Sequence, residues 1–198
     1  MNTRRCEQCG EHLRARHSHR ARFCSTRCRM ASHRAAKANP LPAELRTRDR
    51  WVRYSAAKVP LTTAGKAASS TDPRTWVTHD EASSSSAGVG LGFVLSDVDR
   101  IACLDLDHAF DDEGALLPWA EDIVSAAGAT YTEVSASGEG LHVFGYAYVR
   151  QGRRIRREGG YAVEVYSTGR FIAMTNRPFR GAPSTLADIN DLVRRLTA

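Results

Sequence analysis

Two aspartates stand two residues apart at the end of an apolar stretch, residues 101–108. The apolar residues predict a buried strand, and because side chains alternate between the two faces of a strand, Asp105 and Asp107 share one face, about 7 Å apart at Cα. Ionised carboxylates this close repel each other, and folded proteins usually keep such a pair where divalent cations neutralise it. The pair therefore indicates a metal site; the open alternative is that both acids end a strand at the protein surface.

A second group of residues with metal chemistry lies near the N-terminus. Four of the five cysteines form a C-x2-C pair and a C-x3-C pair, Cys6, Cys9, Cys24 and Cys28. Gly10 lets the backbone turn so that amides face the first two thiolates, and Ser25 or Thr26 is available to cap a helix that carries the second pair. Four thiolates complete the tetrahedral coordination of one zinc ion, so the spacing predicts a small finger that resembles treble-clef and zinc-ribbon modules.

Charge is unevenly distributed along the 198 residues. The first fifty residues hold 13 Lys and Arg against 4 Asp and Glu, a net charge of +9, and the remainder has a net charge of −3. Such a basic segment attracts polyanions such as nucleic acid by counterion release, although a solubilising tail is the simpler alternative. The arginines that surround the predicted zinc site are the expected nucleic-acid contacts: Arg14, Arg16, Arg20, Arg22, Arg27, Arg29 and Arg34.

No stretch of the sequence approaches the ~20 apolar residues that a membrane-spanning helix needs, and the Arg-rich N-terminus lacks an apolar export segment. We therefore expect a cytoplasmic protein without a membrane partner. In that reducing compartment, clustered cysteines indicate metal binding rather than disulfides. Cys103 lies inside the apolar strand, where we expect a buried thiol.

The elements that position these residues divide the chain into a finger at 1–36, a linker at 37–48 around Pro40 and Pro42, and a larger domain at 49–198. Periodicity and turn residues predict strands beginning at Trp51, Gly88, Tyr131, Leu141, Gly160 and Gly169, besides the acidic strand. Three helices are predicted in the larger domain: one from Thr71–Pro73 through Ala82, one at Pro118–Ala127 closed by Gly128, and one from Ser184 or Thr185 to Arg195.

A glycine-containing loop precedes the strand that carries His142. Its two glycines, Gly138 and Gly140, permit a turn whose amides converge on an anion, and the hydroxyls of Ser135 and Ser137 are able to add to that site. His142 has two interpretations, a buried core histidine with hydrogen-bond partners or a residue directed toward the site.

Two further groups of charged residues leave alternatives open. Glu164 stands in the middle of a strand, where it either faces water or supplies a third ligand opposite Asp105 and Asp107. The arginines that precede this strand form either a solvated loop or a nucleic-acid contact; they are Arg153, Arg154, Arg156 and Arg157.

The order of the acid-x-acid strand, the Ser-Gly-x-Gly-x-His segment and the later strand acid resembles the archaeo-eukaryotic primase superfamily, and more closely the primase-polymerase domain of phage and plasmid replication proteins. The resemblance covers roughly residues 49–181. It implies an α+β fold with a split, RRM-like palm, preceded here by the small zinc finger. It also implies that Asp105, Asp107 and Glu164 bind two Mg2+ or Mn2+ ions. The nucleotide-binding residues implied are Ser135, Ser137, Gly138, Gly140, His142 and Arg170.

The function implied by this resemblance is a DNA primase-polymerase, a nucleotidyltransferase that makes or extends primers on single-stranded DNA from nucleoside triphosphates. Relatives often continue into a helical domain and a helicase, so a separate replicative helicase is an expected partner. A catalytically inactive DNA-binding accessory protein on the same fold is the first alternative. A haloacid-dehalogenase-type phosphatase is the second, with Asp105 as nucleophile, although Ala109 replaces the usual hydroxyl residue. Metal-dependent glycosyltransferases also use an acid-x-acid motif, but they leave the basic finger unexplained.

Overall fold

The computed structural model describes residues 4–6, 8–14, 18, 21–38, 41–156 and 161–198. Its strands form two antiparallel sheets, one of four strands and one of five. Few helices accompany them, which confirms the predicted α+β class. Among the described helices, none has the length and apolar character needed to cross a membrane.

The strands are β1 Trp51–Tyr54, β2 Pro60–Leu61, β3 Gly90–Leu95, β4 Ile101–Asp107, β5 Thr132–Val134, β6 Leu141–Tyr146, β7 Arg153–Arg156, β8 Ala162–Tyr166 and β9 Arg170–Met174. The four-stranded sheet has the order β2-β1-β3-β9 and the five-stranded sheet the order β5-β6-β4-β8-β7. The helices are α1 Thr26–Ala38, α2 Ala43–Arg46, α3 His79–Ser84, α4 Pro118–Ala127 and α5 Asn190–Thr197. The order β5-β6-β4-β8, with α4 following β4 along the chain, is that of an RRM-like sheet.

The two faces of the five-stranded sheet have different neighbours. Leu104 and Leu106 belong to a buried cluster with Ile123 of α4 and Val193 of α5, so this face is covered by helices. The alternate residues of β4 face the other way, and Cys103 packs in a second cluster with Phe93 of the four-stranded sheet. Since side chains alternate along a strand, Asp105 and Asp107 lie on the face turned toward the second sheet.

The N-terminal segment forms a short hairpin followed by α1. Arg5 and His12 form an antiparallel bridge, and Gly10 makes the turn between them with a positive φ of 73°. The Ser25 hydroxyl accepts a hydrogen bond from the backbone N–H of Cys28 at 3.2 Å, which caps the start of α1. This confirms the predicted helix under the second cysteine pair and identifies Ser25 as its cap.

The predicted single helix from Thr71 through Ala82 is wrong. A 3₁₀ turn at Pro73–Thr75 is followed by extended backbone, and α3 begins only after Thr78, whose side chain forms a capping box with Glu81. The cause is sheet pairing: Val77 exchanges two 2.9 Å backbone hydrogen bonds with Trp51, so its backbone is held extended and unavailable to a helix.

The C-terminal helix begins later than predicted, at Asn190 instead of Ser184 or Thr185. Backbone hydrogen bonds join Thr185 to Tyr131 and join both Ala187 and Ile189 to Tyr146. Residues 185–189 therefore run along the five-stranded sheet before the helix starts.

The segment between finger and larger domain is partly ordered on the core. Leu41 and Leu45 are buried in the second cluster, and the indole of Trp51 donates to the carbonyl of Leu45 at 3.1 Å. Residues 41–48 therefore contribute to the core of the larger domain, although they lie in the predicted linker. The division at 36 and 48 stays a prediction.

Candidate active site and zinc centre

Five ionisable side chains form one row across the five-stranded sheet. In register, Glu133 of β5 lies opposite His142 of β6, His142 opposite Asp105 of β4, Asp105 opposite Glu164 of β8, and Glu164 opposite Arg154 of β7. Directly opposed residues of antiparallel strands project from the same face, so all five side chains share the face turned toward the second sheet. The structure thus brings together the acids and the histidine that the sequence separates by up to 59 positions.

His142 lies between two carboxylates. Its Nδ1 is 3.2 Å from Oε1 of Glu133, and its Nε2 is 3.7 Å from Oδ1 of Asp105. The residue is buried, with only 5% of its surface exposed. Both interpretations from the sequence are therefore partly met, since the ring is buried with a hydrogen-bond partner and also faces the acidic site.

Glu164 is surrounded by positive and hydrogen-bonding groups. Arg154 lies 3.3 Å and Arg170 3.6 Å from its carboxylate oxygens, and the Tyr166 hydroxyl donates to Oε2 at 2.7 Å. Burial, together with this hydrogen bond to the carboxylate, raises the pKa of Tyr166 to about 12. The Glu164 carboxylate is therefore directed toward Arg154 and Arg170.

The donor set fits a hard divalent cation. Burial raises the pKa of the Asp105 carboxyl, and the negative charges of Asp107 and Glu164 add to the rise, while His142 and Lys58 oppose it. A divalent cation relieves this repulsion, and oxygen ligands on a rigid sheet are what Mg2+ and Mn2+ prefer. Among the residues that the structure describes, the three carboxylates do not form a cluster as tight as that of the four cysteines. Glu164 instead lies beside Arg154 and Arg170.

The loop before β6 is closed by its own hydrogen bonds. The Ser135 N–H donates to the carbonyl of Gly140 at 2.8 Å, while the Gly140 N–H donates to the Ser135 hydroxyl at 3.2 Å. The Gly138 and Glu139 N–H groups also donate within the loop, to Ser135 O and to the Ser137 hydroxyl. These amides are thus engaged, and the expected convergence of free amides on an anion is not the arrangement found. The Ser137 hydroxyl, which bonds Ser135 Oγ at 3.0 Å, remains a candidate contact.

The four predicted zinc ligands are gathered into one cluster. Their sulfur atoms all lie within 4.8 Å of one another, with Cys24 at 3.6 Å from Cys9 and 3.5 Å from Cys28. Zn–S bonds of about 2.3 Å in a tetrahedron require sulfurs about 3.8 Å apart, so the cluster fits one zinc ion. In the part of the chain that the structure describes, no other group of His, Cys, Asp and Glu is drawn together this tightly.

Backbone amides already favour thiolate at this cluster. Burial by itself raises the pKa of the Cys6 thiol, but backbone hydrogen bonds from Cys24, Gln8 and Cys9 outweigh it and lower the pKa to about 6. At Cys9 a backbone hydrogen bond from Glu11 lowers the pKa of the thiol, but burial and the neighbouring sulfurs together outweigh it and raise the pKa to about 12. Four thiols crowded in this way lose protons readily only when a cation shares the charge.

Sequence comparison relates this chain to a phage protein. No family model matches the chain. A protein of Nitratiruptor phage NrS-1 named DNA Primase-polymerase is 36% identical to it over 143 residues, covering 66% of this chain and 19% of the phage protein. The chain carries a domain of the phage primase-polymerase type. It spans about a fifth of that relative's length.

The arginines predicted to contact nucleic acid occupy different parts of the primase-polymerase domain and its finger. Arg154 and Arg156 share the face of the acids, since Arg156 lies opposite Ala162, which in turn lies opposite Asp107; Arg153 projects from the other face. In the finger, five of these predicted arginines are exposed: Arg14, Arg22, Arg27, Arg29 and Arg34. The remaining three, Arg16, Arg20 and Arg157, lie outside the described residues.

Sequence reasoning missed two residues at the site of the primase-polymerase domain. Glu133 is fully buried and bonds His142, and the same argument that singled out Glu164, an acid inside an apolar strand, also applies to it. Lys58 comes from the turn between β1 and β2, with a φ of 55°, and its charge acts on Asp105. The sequence carries no local signal for Lys58, because only the packing of the two sheets brings it close.

Proposed function

We propose that this chain is a DNA primase-polymerase-type nucleotidyltransferase that makes or extends primers on single-stranded DNA. The observation that carries the proposal is the row of ionisable residues, in which Asp105 faces His142 on one side and Glu164 on the other, with Asp107 one pleat along. The similarity to a phage protein named DNA Primase-polymerase supports the same activity.

Asp105, Asp107 and Glu164 would hold two Mg2+ or Mn2+ ions. Such ions, when bound, lower the pKa of the attacking 3′-hydroxyl and neutralise the leaving pyrophosphate. The carboxylates contribute charge and fixed direction, because the central strands of a sheet hold side chains more precisely than loops do. For Glu164 to join the other two acids, its carboxylate must turn away from Arg154 and Arg170, which leaves those guanidinium groups available to phosphate.

The incoming nucleoside triphosphate would lie between the two sheets. His142 reaches this face through Nε2, the ring atom that would contact a phosphate oxygen, while Arg170 and the Ser137 hydroxyl would add further contacts. We infer that the finger, with one zinc ion on its four cysteines and its exposed arginines, holds the single-stranded template. A separate replicative helicase is a further proposed partner.

The test is primer extension and de novo priming on single-stranded DNA with Mg2+ or Mn2+ and either ribo- or deoxyribonucleotides. Asp107→Asn is the site variant, and Asp122→Asn, on an exposed position of α4, is its matched control. Incorporation by the wild type and the control but not by Asp107→Asn supports the proposal. DNA binding without incorporation under any of these conditions overturns it in favour of a DNA-binding accessory protein.

A further inference from the structure

The buried acid Glu133 has only hydrogen-bond donors around it. Its carboxylate accepts from the Tyr131 hydroxyl at 2.9 Å, from the backbone N–H of Thr175 at 3.1 and 3.2 Å, and from that of Asn176 at 2.8 Å, and its Oε1 lies 3.2 Å from His142 Nδ1. Its exposed surface is 0%. A buried carboxylate satisfied so completely is held in one orientation, because any rotation breaks several charge-assisted hydrogen bonds at once.

We propose that Glu133 is a positioning residue that fixes the ring of His142 for the nucleotide, an inference that rests on the proposed function. A carboxylate only accepts hydrogen bonds, so the His142 nitrogen beside Glu133 carries a proton. That nitrogen is Nδ1, which leaves Nε2 as the ring atom on the side of Asp105. By holding Nδ1, Glu133 thereby determines that Nε2 is the His142 atom that contacts the nucleotide.

Glu133 also links the two sheets at this point. Thr175 and Asn176 directly follow β9 of the four-stranded sheet, whereas Glu133 and His142 belong to the five-stranded sheet. The Thr175 hydroxyl adds a 2.7 Å hydrogen bond to the carbonyl of Val134. Because Arg170 begins the same strand β9, one carboxylate orients His142 and anchors the strand that carries a second predicted phosphate contact.

Glu133→Gln tests whether Glu133 orients the His142 ring, because it changes the hydrogen bonds of the side chain without changing its shape. The glutamine amide keeps the side-chain volume but replaces one accepting oxygen by an NH2 donor, which must face either His142 Nδ1 or the backbone N–H of Asn176. Either placement disturbs the network. Tyr131→Phe is the matched control, since it removes one donor to Glu133 from an equally buried position and leaves the contact with His142 intact.

The first measurement is the ¹⁵N spectrum of the histidine rings in the full chain without nucleotide, with the His142 signal assigned by its loss in His142→Ala. We expect a proton on Nδ1 in the wild type and a changed ring signal in Glu133→Gln but not in Tyr131→Phe. An Nδ1 without a proton in the wild type overturns the proposal, and this readout stands even when the glutamine variant does not fold.

The second measurement is the affinity for fluorescent ATP and dATP analogues with Mg2+. Loss of a hydrogen bond to a charged group predicts about tenfold weaker binding by Glu133→Gln, against less than about twofold by Tyr131→Phe. In a His142→Ala background, Glu133→Gln has no further effect if it acts through the ring. Unchanged affinity, or a loss that adds to that of His142→Ala, overturns the positioning role. Absence of primer extension by a wild type that binds nucleotide overturns the proposed function instead and leaves this cycle interpretable.

Discussion

The two candidate metal centres are built in opposite ways. The four thiols of the finger come from two short segments and are already gathered within 4.8 Å, with backbone amides directed at Cys6. The carboxylates come from two paired strands, β4 and β8, that are far apart in the sequence, and the one on β8 lies beside Arg154 and Arg170. The thiolate site is thus formed by residues close in sequence. The carboxylate site depends instead on the register of the strands, and Arg154 and Arg170 compete with metal ions for the oxygens of Glu164.

The largest expected effect follows from removing an acid of the sheet. Asp105→Ala should abolish nucleotide incorporation, a loss of about a thousandfold or more, because metal ions supply several kcal/mol of transition-state stabilisation. Without metal the variant should be at least as stable as the wild type, since it relieves the repulsion from Asp107 and Glu164 that contributes to the raised pKa of Asp105. Primer extension and thermal unfolding of the same samples check both parts. Extension at a wild-type rate would remove Asp105 from the site.

The finger should respond as a separate unit when a thiolate is removed. Cys24→Ser should release the zinc, unfold the hairpin and lower the affinity for single-stranded DNA by about tenfold at low salt, with a smaller difference as salt rises, because the lost contacts are to phosphate. Nucleotide binding should persist. Cys103→Ser, which changes the cysteine in β4 instead, controls for loss of any thiol. Elemental analysis and DNA titrations at two salt concentrations provide the test; equal zinc content in the wild type and Cys24→Ser would contradict it.

The difference between the two centres also explains what the sequence reveals. Cysteine spacing and the alternation of Asp105 and Asp107 are local patterns, and both led to arrangements that the structure contains. The contact between Glu133 and His142 could not be predicted from local patterns, because it depends on the pairing of β5 with β6. The helix expected from Thr71 failed for a similar reason, since pairing of Val77 with Trp51 outweighs a local helix start. Sequence periodicity thus does not predict which residues of distant segments lie opposite each other in a sheet.

Competition between Arg154 and a metal ion for the Glu164 carboxylate should have a smaller effect, on the affinity for divalent ions. Arg154→Ala removes a cation 3.3 Å from the Glu164 carboxylate, so divalent ions should bind more tightly. The Arg154 side chain is 57% exposed, and an ion pair of this exposure is worth at most about 1 kcal/mol, which limits the gain to about fivefold. Arg153→Ala is the matched control on the opposite face of the same strand. Manganese titrations followed by electron paramagnetic resonance compare the two, and equal affinities would show that Arg154 does not compete.

The smallest expected effects lie in the loop before β6, where two serines two residues apart should behave differently. Ser135 is buried and its hydroxyl accepts from the Gly140 N–H, so Ser135→Ala leaves a buried donor without its partner and should cost about 1–2 kcal/mol of unfolding free energy. Ser137 is exposed, and its hydroxyl makes a 3.0 Å bond with the Ser135 hydroxyl and accepts a longer 3.3 Å bond from the Glu139 N–H. Because an exposed hydroxyl exchanges such bonds for bonds to water, Ser137→Ala should change stability by less than about 0.5 kcal/mol. Its effect should fall on nucleotide affinity instead, since Ser137 carries the exposed hydroxyl of this loop, which phosphate is able to reach. Urea unfolding and nucleotide titration of both variants separate the two roles; a destabilised Ser137→Ala with unchanged nucleotide affinity would make the whole loop a structural turn.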